Sequence, residues 1–234
     1  MKSWVKMPSY WVREESSPPL TQLRWSGDQK ADQIAALMIY IVLAHHANDS
    51  PTAEFPEPGY CRLTYERLLD ITGLSKAKIS GGIKVLRALG LVSVETSGRV
   101  NIYKVANFGQ KGGWAKLPSK GLYSKDLQRI PVFHEYKLRS KVELNALKIY
   151  FLILSFRSND TNYAVISYER MTTYTGIVRN DIRPAVSLLV AQGLIHVDQK
   201  STAHNDFSTS NMYRPCYVEP YRHLGTAGRA MVGT

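Results

Sequence analysis

Cysteine is nearly missing from this chain. The only two among 234 residues, Cys61 and Cys216, stand 155 positions apart, which rules out a disulfide framework and makes a reducing cytoplasm the expected setting. Neither has a Cys or His nearby at zinc-finger spacing. His45 and His46 are adjacent near the end of an apolar stretch, and neighbours on a helix point about 100° apart, a poor chelating pair. No apolar run approaches the roughly 18 residues of a membrane span, the stretch Ala35 to Ala44 being far too short. The opening Met1-Lys2-Ser3-Trp4-Val5-Lys6 has no apolar signal core. No Walker-type phosphate loop, His-hydrophobic-His relaxase signature or cluster of nuclease carboxylates is present, so no enzyme, metal site or cofactor is expected. Acidic residues are also scarce, 19 against 30 Lys and Arg, for a formal charge of +11. Such a balance points to a polyanionic partner. An acidic membrane would call for a basic amphipathic helix, and none stands out.

What the chain has in quantity is self-similarity. Its length predicts two domains of about 110 residues each, and Trp4-Val5-Lys6-Met7-Pro8-Ser9 returns 110 positions later as Trp114-Ala115-Lys116-Leu117-Pro118-Ser119. The same offset aligns Ala36-Leu37-Met38-Ile39-Tyr40 with Ala146-Leu147-Lys148-Ile149-Tyr150, and Asn101-Ile102-Tyr103 with Asn211-Met212-Tyr213. Between these anchors the offset is 103, where Leu63-Thr64-Tyr65-Glu66-Arg67-Leu68 matches Ile166-Ser167-Tyr168-Glu169-Arg170-Met171, and Thr72-Gly73-Leu74 matches Thr175-Gly176-Ile177. The expected organisation is a first unit over 1–106, a glycine-containing flexible linker over 107–113, a second unit over 114–218 and a poorly ordered tail over 219–234.

Local patterns assign elements to each unit. Ile34, Leu37, Met38, Ile41 and Val42 recur at helical spacing, predicting a helix from Ala31 to His46. Thr64 is placed to cap a second helix, Tyr65 to Ile71, with Glu66 favouring its N-terminal dipole. Gly73 makes a turn, and Ser75 caps a third helix that ends near Gly90. Leu91–Val94 and Val100–Tyr103 alternate as strands around a tight turn at Thr96-Ser97-Gly98-Arg99. The second copy repeats the order: a first helix with Leu144, Leu147, Ile149, Phe151 and Leu154, a cap at Ser167, a turn at Gly176, a third helix over Val178 to Gln192, and strands at Leu194–Asp198 and Asn211–Val218 around a long polar wing. The fold expected is mainly α with small β-hairpins, an α+β class.

The Trp-x-Lys-x-Pro lead-in, the Ala-x-x-x-Tyr first helix and the Tyr-Glu-x-(Leu/Met) second helix, with the capped helices, the Gly turn and the hairpin in order, make each copy resemble the winged helix-turn-helix domains of plasmid and phage replication initiators and of many bacterial transcriptional regulators. The resemblance covers residues 3–105 and 113–218. It implies a cytoplasmic, nucleoid-associated protein that binds double-stranded DNA in a sequence-specific way as a transcriptional regulator. A replication initiator bound to origin repeats is the alternative, and a protein-interaction module, like the paired winged helices of the kleisin-binding subunits of bacterial condensins, is a third reading. A homodimer or a replication or transcription partner protein is compatible with each. No membrane and no small-molecule effector are expected.

In such a motif the third helix enters the major groove and other elements hold phosphates. The first copy offers Ser75, Lys76, Lys78, Ser80 and Lys84 on that helix. The second offers Arg179, Asn180, Arg183 and Ser187, a better reading set, because Arg pairs bidentately with guanine and Asn with adenine. Tyr65, Arg67, Tyr168 and Arg170 stand beside the capped helix starts as phosphate contacts, with packing beneath the third helix an equal reading for the tyrosines. Arg99 at the first wing tip is placed for a minor groove or a phosphate, and Lys200, His204 and Asn205 for similar work in the second. Residues 1–110 carry 13 basic and 10 acidic side chains against 17 and 9 in 111–234, and Lys111, Lys116, Lys120, Lys125, Arg129, Lys137, Arg139 and Lys141 concentrate where backbone contact is expected. Trp4 and Trp114 are expected to clamp each lead-in onto its own unit's core, with base stacking the lesser alternative. Both third helices break a local rule: Gly81-Gly82 aligns with Pro184-Ala185, against costs of about 2 and 3 kcal/mol relative to alanine. Two explanations present themselves, a late helix start that leaves Pro184 in the first turn, and glycines that let backbone approach a phosphate or a partner chain.

Overall fold

The computed structural model describes residues 2–14, 16, 18–97, 100–109, 113–202 and 205–218, with backbone alone at 96–97, 199–202 and 205–210. Arg99, Lys111 and His204, the side chains of Lys200 and Asn205, and the segment 219–234 therefore lie outside the described residues. The chain is an α+β mixture of helices and small antiparallel sheets.

Each unit is built around one helix buried along most of its length, α3 (Lys30–His46) in the first and α7 (Lys141–Phe156) in the second. Ile34 to Ala44 and Leu144 to Ser155 are buried around the whole circumference, because further elements cover every side of each helix. In α7 a reciprocal cap fixes the start: the Ser140 hydroxyl accepts from the Val142 N–H while the Glu143 carboxylate accepts from the Ser140 N–H. A short helix and a longer one follow in each unit, α4 (Tyr65–Thr72) and α5 (Lys76–Ala88), then α8 (Tyr168–Thr175) and α9 (Arg179–Ala191). The hairpins are β3 (Val92–Ser97) with β4 (Val100–Val105), and β7 (Ile195–Thr202) with β8 (Asn205–Pro215). In both units a strand from the segment before the second helix joins the hairpin. These strands are β2 (Tyr60–Leu63) and β6 (Ala164–Val165), and they put β4 and β8 at the centre of three-stranded sheets. From sequence alone these residues receive no element, since so short a run shows no periodicity, and only the open edge of the return strand gives them a partner.

The lead-ins depart most from expectation. Trp4–Pro8 (β1) and Trp114–Pro118 (β5) do not fold down separately; they pair with each other as an antiparallel ribbon in which Lys6 faces Lys116. Met7, Ala115 and Leu117 point inward and are buried. Trp4 and Trp114 stack on each other instead of clamping a core, with ring centres 5.7 Å apart and planes 8° from parallel. The Lys6 and Lys116 ammonium groups lie over Trp114 and Trp4 at 5.6 and 5.0 Å, closing the ladder at both ends.

Beyond the ribbon the two arms change sides. The first arm carries α1 (Tyr10–Arg13) and α2 (Pro19–Gln22) onto α7 and α8 of the second unit, and the second carries α6 (Pro131–Glu135) onto α4 of the first. Contacts at the two crossings occupy matching positions. The Arg13 guanidinium donates to the Ser155 carbonyl at the end of α7. At the end of α3, His45 bonds the Tyr123 hydroxyl at 3.2 Å and the Pro118 carbonyl at 2.8 Å. Arg13 and Tyr123 are 110 positions apart, as are His45 and Ser155. Trp11 sits at the centre, its indole N–H donating to Tyr40 and its ring against Tyr40 of α3 and Phe151 of α7. One continuous apolar core, with Phe108 at the unit junction, runs through both units.

Candidate nucleic-acid interface

The turn that aims each third helix is made the same way twice. The Thr64 hydroxyl accepts from the Arg67 N–H and the Ser167 hydroxyl from the Arg170 N–H, so both second helices start at a side-chain cap. At the other end Thr72 donates to the Leu68 carbonyl and accepts from the Leu74 N–H, and Thr175 does the same between Met171 and Ile177. Gly73 and Gly176 follow these threonines at φ +71° and +68°, a conformation costly for any residue with a Cβ. The arm of the other unit covers each turn: the His134 ring lies against Gly73, and Thr21 lies over Gly176. The role of the two threonines is absent from the sequence reading, although their repetition beside each glycine is the signal that carries it.

The third helices enter solvent with unequal freedom. Lys76 and Arg179, first residues of α5 and α9, pair with Glu66 and Glu169 at 3.4 and 3.7 Å, again a matched set. Arg179 also lies 5.6 Å above the Tyr168 ring. Lys78 is half-buried and ion-paired to Asp32 at 2.8 Å, so it ties α5 to α3. In the second unit the polarity is reversed, with Lys141 on the first helix and Asp181 on the third at 2.9 Å. Ser75 spends its hydroxyl on the Lys78 N–H, and Ser80 is half-buried. Lys84 is exposed on α5, and Asn180, Arg183 and Ser187 are exposed on α9. Among the described residues these four have no side-chain partner. Val178 stands at the N-cap position of α9 without a side-chain capping bond and is 65% exposed, an apolar residue in water beside Arg179 and Asn180.

The helix-breaking glycines find an explanation in packing, and nothing in the structure explains Pro184. Pro184 is the sixth residue of α9, not in its first turn. Gly81 and Gly82 face inward: a Cβ at 82 would stand 2.8 Å from Ile39 Cδ1 and 2.9 Å from the backbone of Ala35 and Ala36, and one at 81 would overlap the Asp32 carboxylate. The glycines serve the close crossing of α5 on α3.

Other candidates hold the molecule together. Arg67 donates to the Leu127 carbonyl at 3.0 Å and to Gln128 Oε1 at 2.6 Å, anchoring the second arm to α4. Arg170 lies over Phe156 and Tyr174 at 4.6 and 5.8 Å. Tyr65 and Tyr168 are half-buried against the core, the packing side of their two readings. Lys120, Lys125, Arg129, Lys137 and Arg139 are exposed along the second arm, whereas Lys116 belongs to the tryptophan ladder. No group of three or more His, Cys, Asp or Glu among the described residues is arranged to hold a metal ion, and no helix among them is long and apolar enough to cross a membrane. No protein-family model and no curated protein matches the chain.

Proposed function

We propose that the chain binds double-stranded DNA through two tandem winged helix-turn-helix units, each third helix in a major groove, and acts as a sequence-specific regulator of transcription. The observation that carries this reading is the outer face of α9. Among the described residues Asn180 and Arg183 lie exposed without an intramolecular partner, one turn beyond a capped and sharply turned second helix, and these two side-chain types make bidentate bonds to adenine and guanine. The net charge of +11 supports it, since phosphate neutralisation supplies the sequence-independent part of such binding. The two helices differ in their exposed residues, so the half-sites differ as well, about one helical turn apart, near 34 Å. The first unit contributes mainly charge through Lys76 and Lys84.

Selection of bound genomic fragments followed by anisotropy titration tests the reading. The selected duplex is expected to lose about 1 to 3 kcal/mol of binding free energy in Arg183→Ala, with little change on unrelated duplexes. Affinity for either is expected to fall by about 10³- to 10⁵-fold between roughly 50 and 200 mM salt if about six to ten phosphates are engaged. A wild-type chain that binds no duplex at the lower salt rejects the proposal.

A further inference from the structure

Where the first arm crosses onto the second unit it lines a half-open cavity of about 380 Å³. Arg24 and Trp25 of the arm form one wall, Lys141, Asn145 and Lys148 of α7 another, and the 176–178 turn with Asp181 of α9 the third. The duplication supplies a control for this wall. Asn145 and Lys148 stand where the first unit, 110 positions earlier, has Ala35 and Met38. Two apolar positions of a helix buried along most of its length are thus polar in the second unit alone. An ammonium group taken out of water costs several kcal/mol unless it gains partners. Yet Lys148 is 3% exposed and, among the described residues, donates only to the Leu23 carbonyl at 2.8 Å, using one of three N–H groups. Asn145 is 9% exposed, and its carboxamide makes no hydrogen bond among the described residues. Asp181, the carboxylate at the rim, is already engaged by Lys141. Two buried side chains with unspent donors therefore face a space whose charged lining is Arg24, Lys141 and Lys148 against Asp181.

We propose that this cavity binds a small organic anion, its carboxylate or phosphate head held by Lys148, Asn145 and Arg24 and its flat apolar body lying beside Trp25 and Ile177. The volume falls in the range of small-ligand pockets, which combine apolar walls with a few convergent polar groups. Trp25 is half-buried and its ring is steadied by Lys30 at 5.5 Å. The site exists only because the arms exchange, since the first arm brings Arg24, Trp25 and the Leu23 carbonyl to α7. Burial, with the neighbouring Arg24 charge adding to it, pushes the Lys148 ammonium down to about 7. The charged groups facing it are Lys141 from its own helix, Arg24 from the arm and Asp181 from α9. An anion at the site favours the protonated amine, so binding weakens once the pH passes that value.

Titration calorimetry of the full chain with phenyl phosphate and with benzoate, against neutral benzamide, tests the proposal without DNA and so independently of the function proposed above. At least one of the anions is expected to bind saturably at one site per chain, about tenfold or more weakly at pH 8.5 than at pH 6, and benzamide not to bind. Lys148→Met, which installs the first unit's residue, is expected to abolish binding while the chain still melts cooperatively. Asn145→Ala, which copies Ala35 and leaves the Lys148 bond to Leu23 in place, is expected to weaken binding severalfold and serves if the lysine variant fails to fold. The proposal is overturned if neither anion binds, if binding is the same at both pH values, or if the variants bind like wild type.

Discussion

At the residue scale the duplication acts as an internal mutagenesis experiment, and His45 shows how far equivalent positions can diverge chemically. It sits where the second unit has Ser155, and it is buried between an acceptor and a hydroxyl. Because the Pro118 carbonyl can only accept, Nε2 carries the proton and Nδ1 accepts from Tyr123. Burial pushes this imidazole down to about 3, with the bond to Pro118 opposing and the His46 charge assisting. The unfolded chain takes up a proton near pH 6.5 and the folded chain only near 3, so between those values the unfolded state binds more protons and stability falls as acid is added. The expected loss is about 2 kcal/mol at pH 5 relative to pH 7. Chemical denaturation across that window is expected to show the slope, and His45→Gln, which keeps a donor for Pro118, to flatten it. Burial also lifts the Cys61 thiol to about 12 and Cys216 to about 11, so both are expected to react slowly with thiol reagents at neutral pH until the chain unfolds.

At the scale of elements, the most instructive substitutions lie in the third helices. Gly82→Ala gains about 1 kcal/mol of helix propensity but forces a methyl against the backbone of Ala35 and Ala36, and overpacking of this kind costs about 1 to 3 kcal/mol. Gly81→Ala meets the Asp32 carboxylate first, which can swing away at the expense of its Lys78 bond. The urea midpoint is therefore expected to fall clearly for residue 82 and less for 81. Pro184 is exposed in mid-helix, so Pro184→Ala restores a bond to the Asn180 carbonyl without opening a cavity, and the melting temperature is expected to rise. The three helices of each unit, the caps at Thr64, Ser75 and Ser167 and the hairpins are legible in the sequence because these caps and the glycine turns act on residues three or four away, whereas the Ser140 cap of α7 is absent from the sequence reading. The strands β2 and β6 are not legible, since so few residues pair only when a distant return strand presents its edge. Lys148 is a polar residue set among apolar ones at helical spacing. It interrupts the core face of α7 at the place where Met38 continues it in α3.

At the scale of the whole molecule, the decisive feature is the crossing of the arms, and no local pattern encodes it. The repeated Trp-x-Lys-x-Pro motif shows that two lead-ins exist, but not that they pair with each other; that depends on a contact between residues 110 positions apart. As a result each half lends part of its cover to the other, since α6 lies on α4 of the first unit and α1 and α2 lie on α7 and α8 of the second. Halves divided within 110–112 are expected to expose apolar surface when separate and to reassemble one to one on mixing, as exchanged elements do between protomers; gel filtration and circular dichroism of the mixture check this. Halves that each fold as compact monomers would show the crossing to be dispensable. The near-twofold framework also bears unlike outer residues, Ser75, Lys76 and Lys84 on one side and Arg179, Asn180 and Arg183 on the other. A symmetric dimer on a palindrome has no left or right, but this molecule has a head and a tail. On a duplex read in the way proposed here it would settle in a single orientation, and whatever it recruited would inherit a direction along the chromosome.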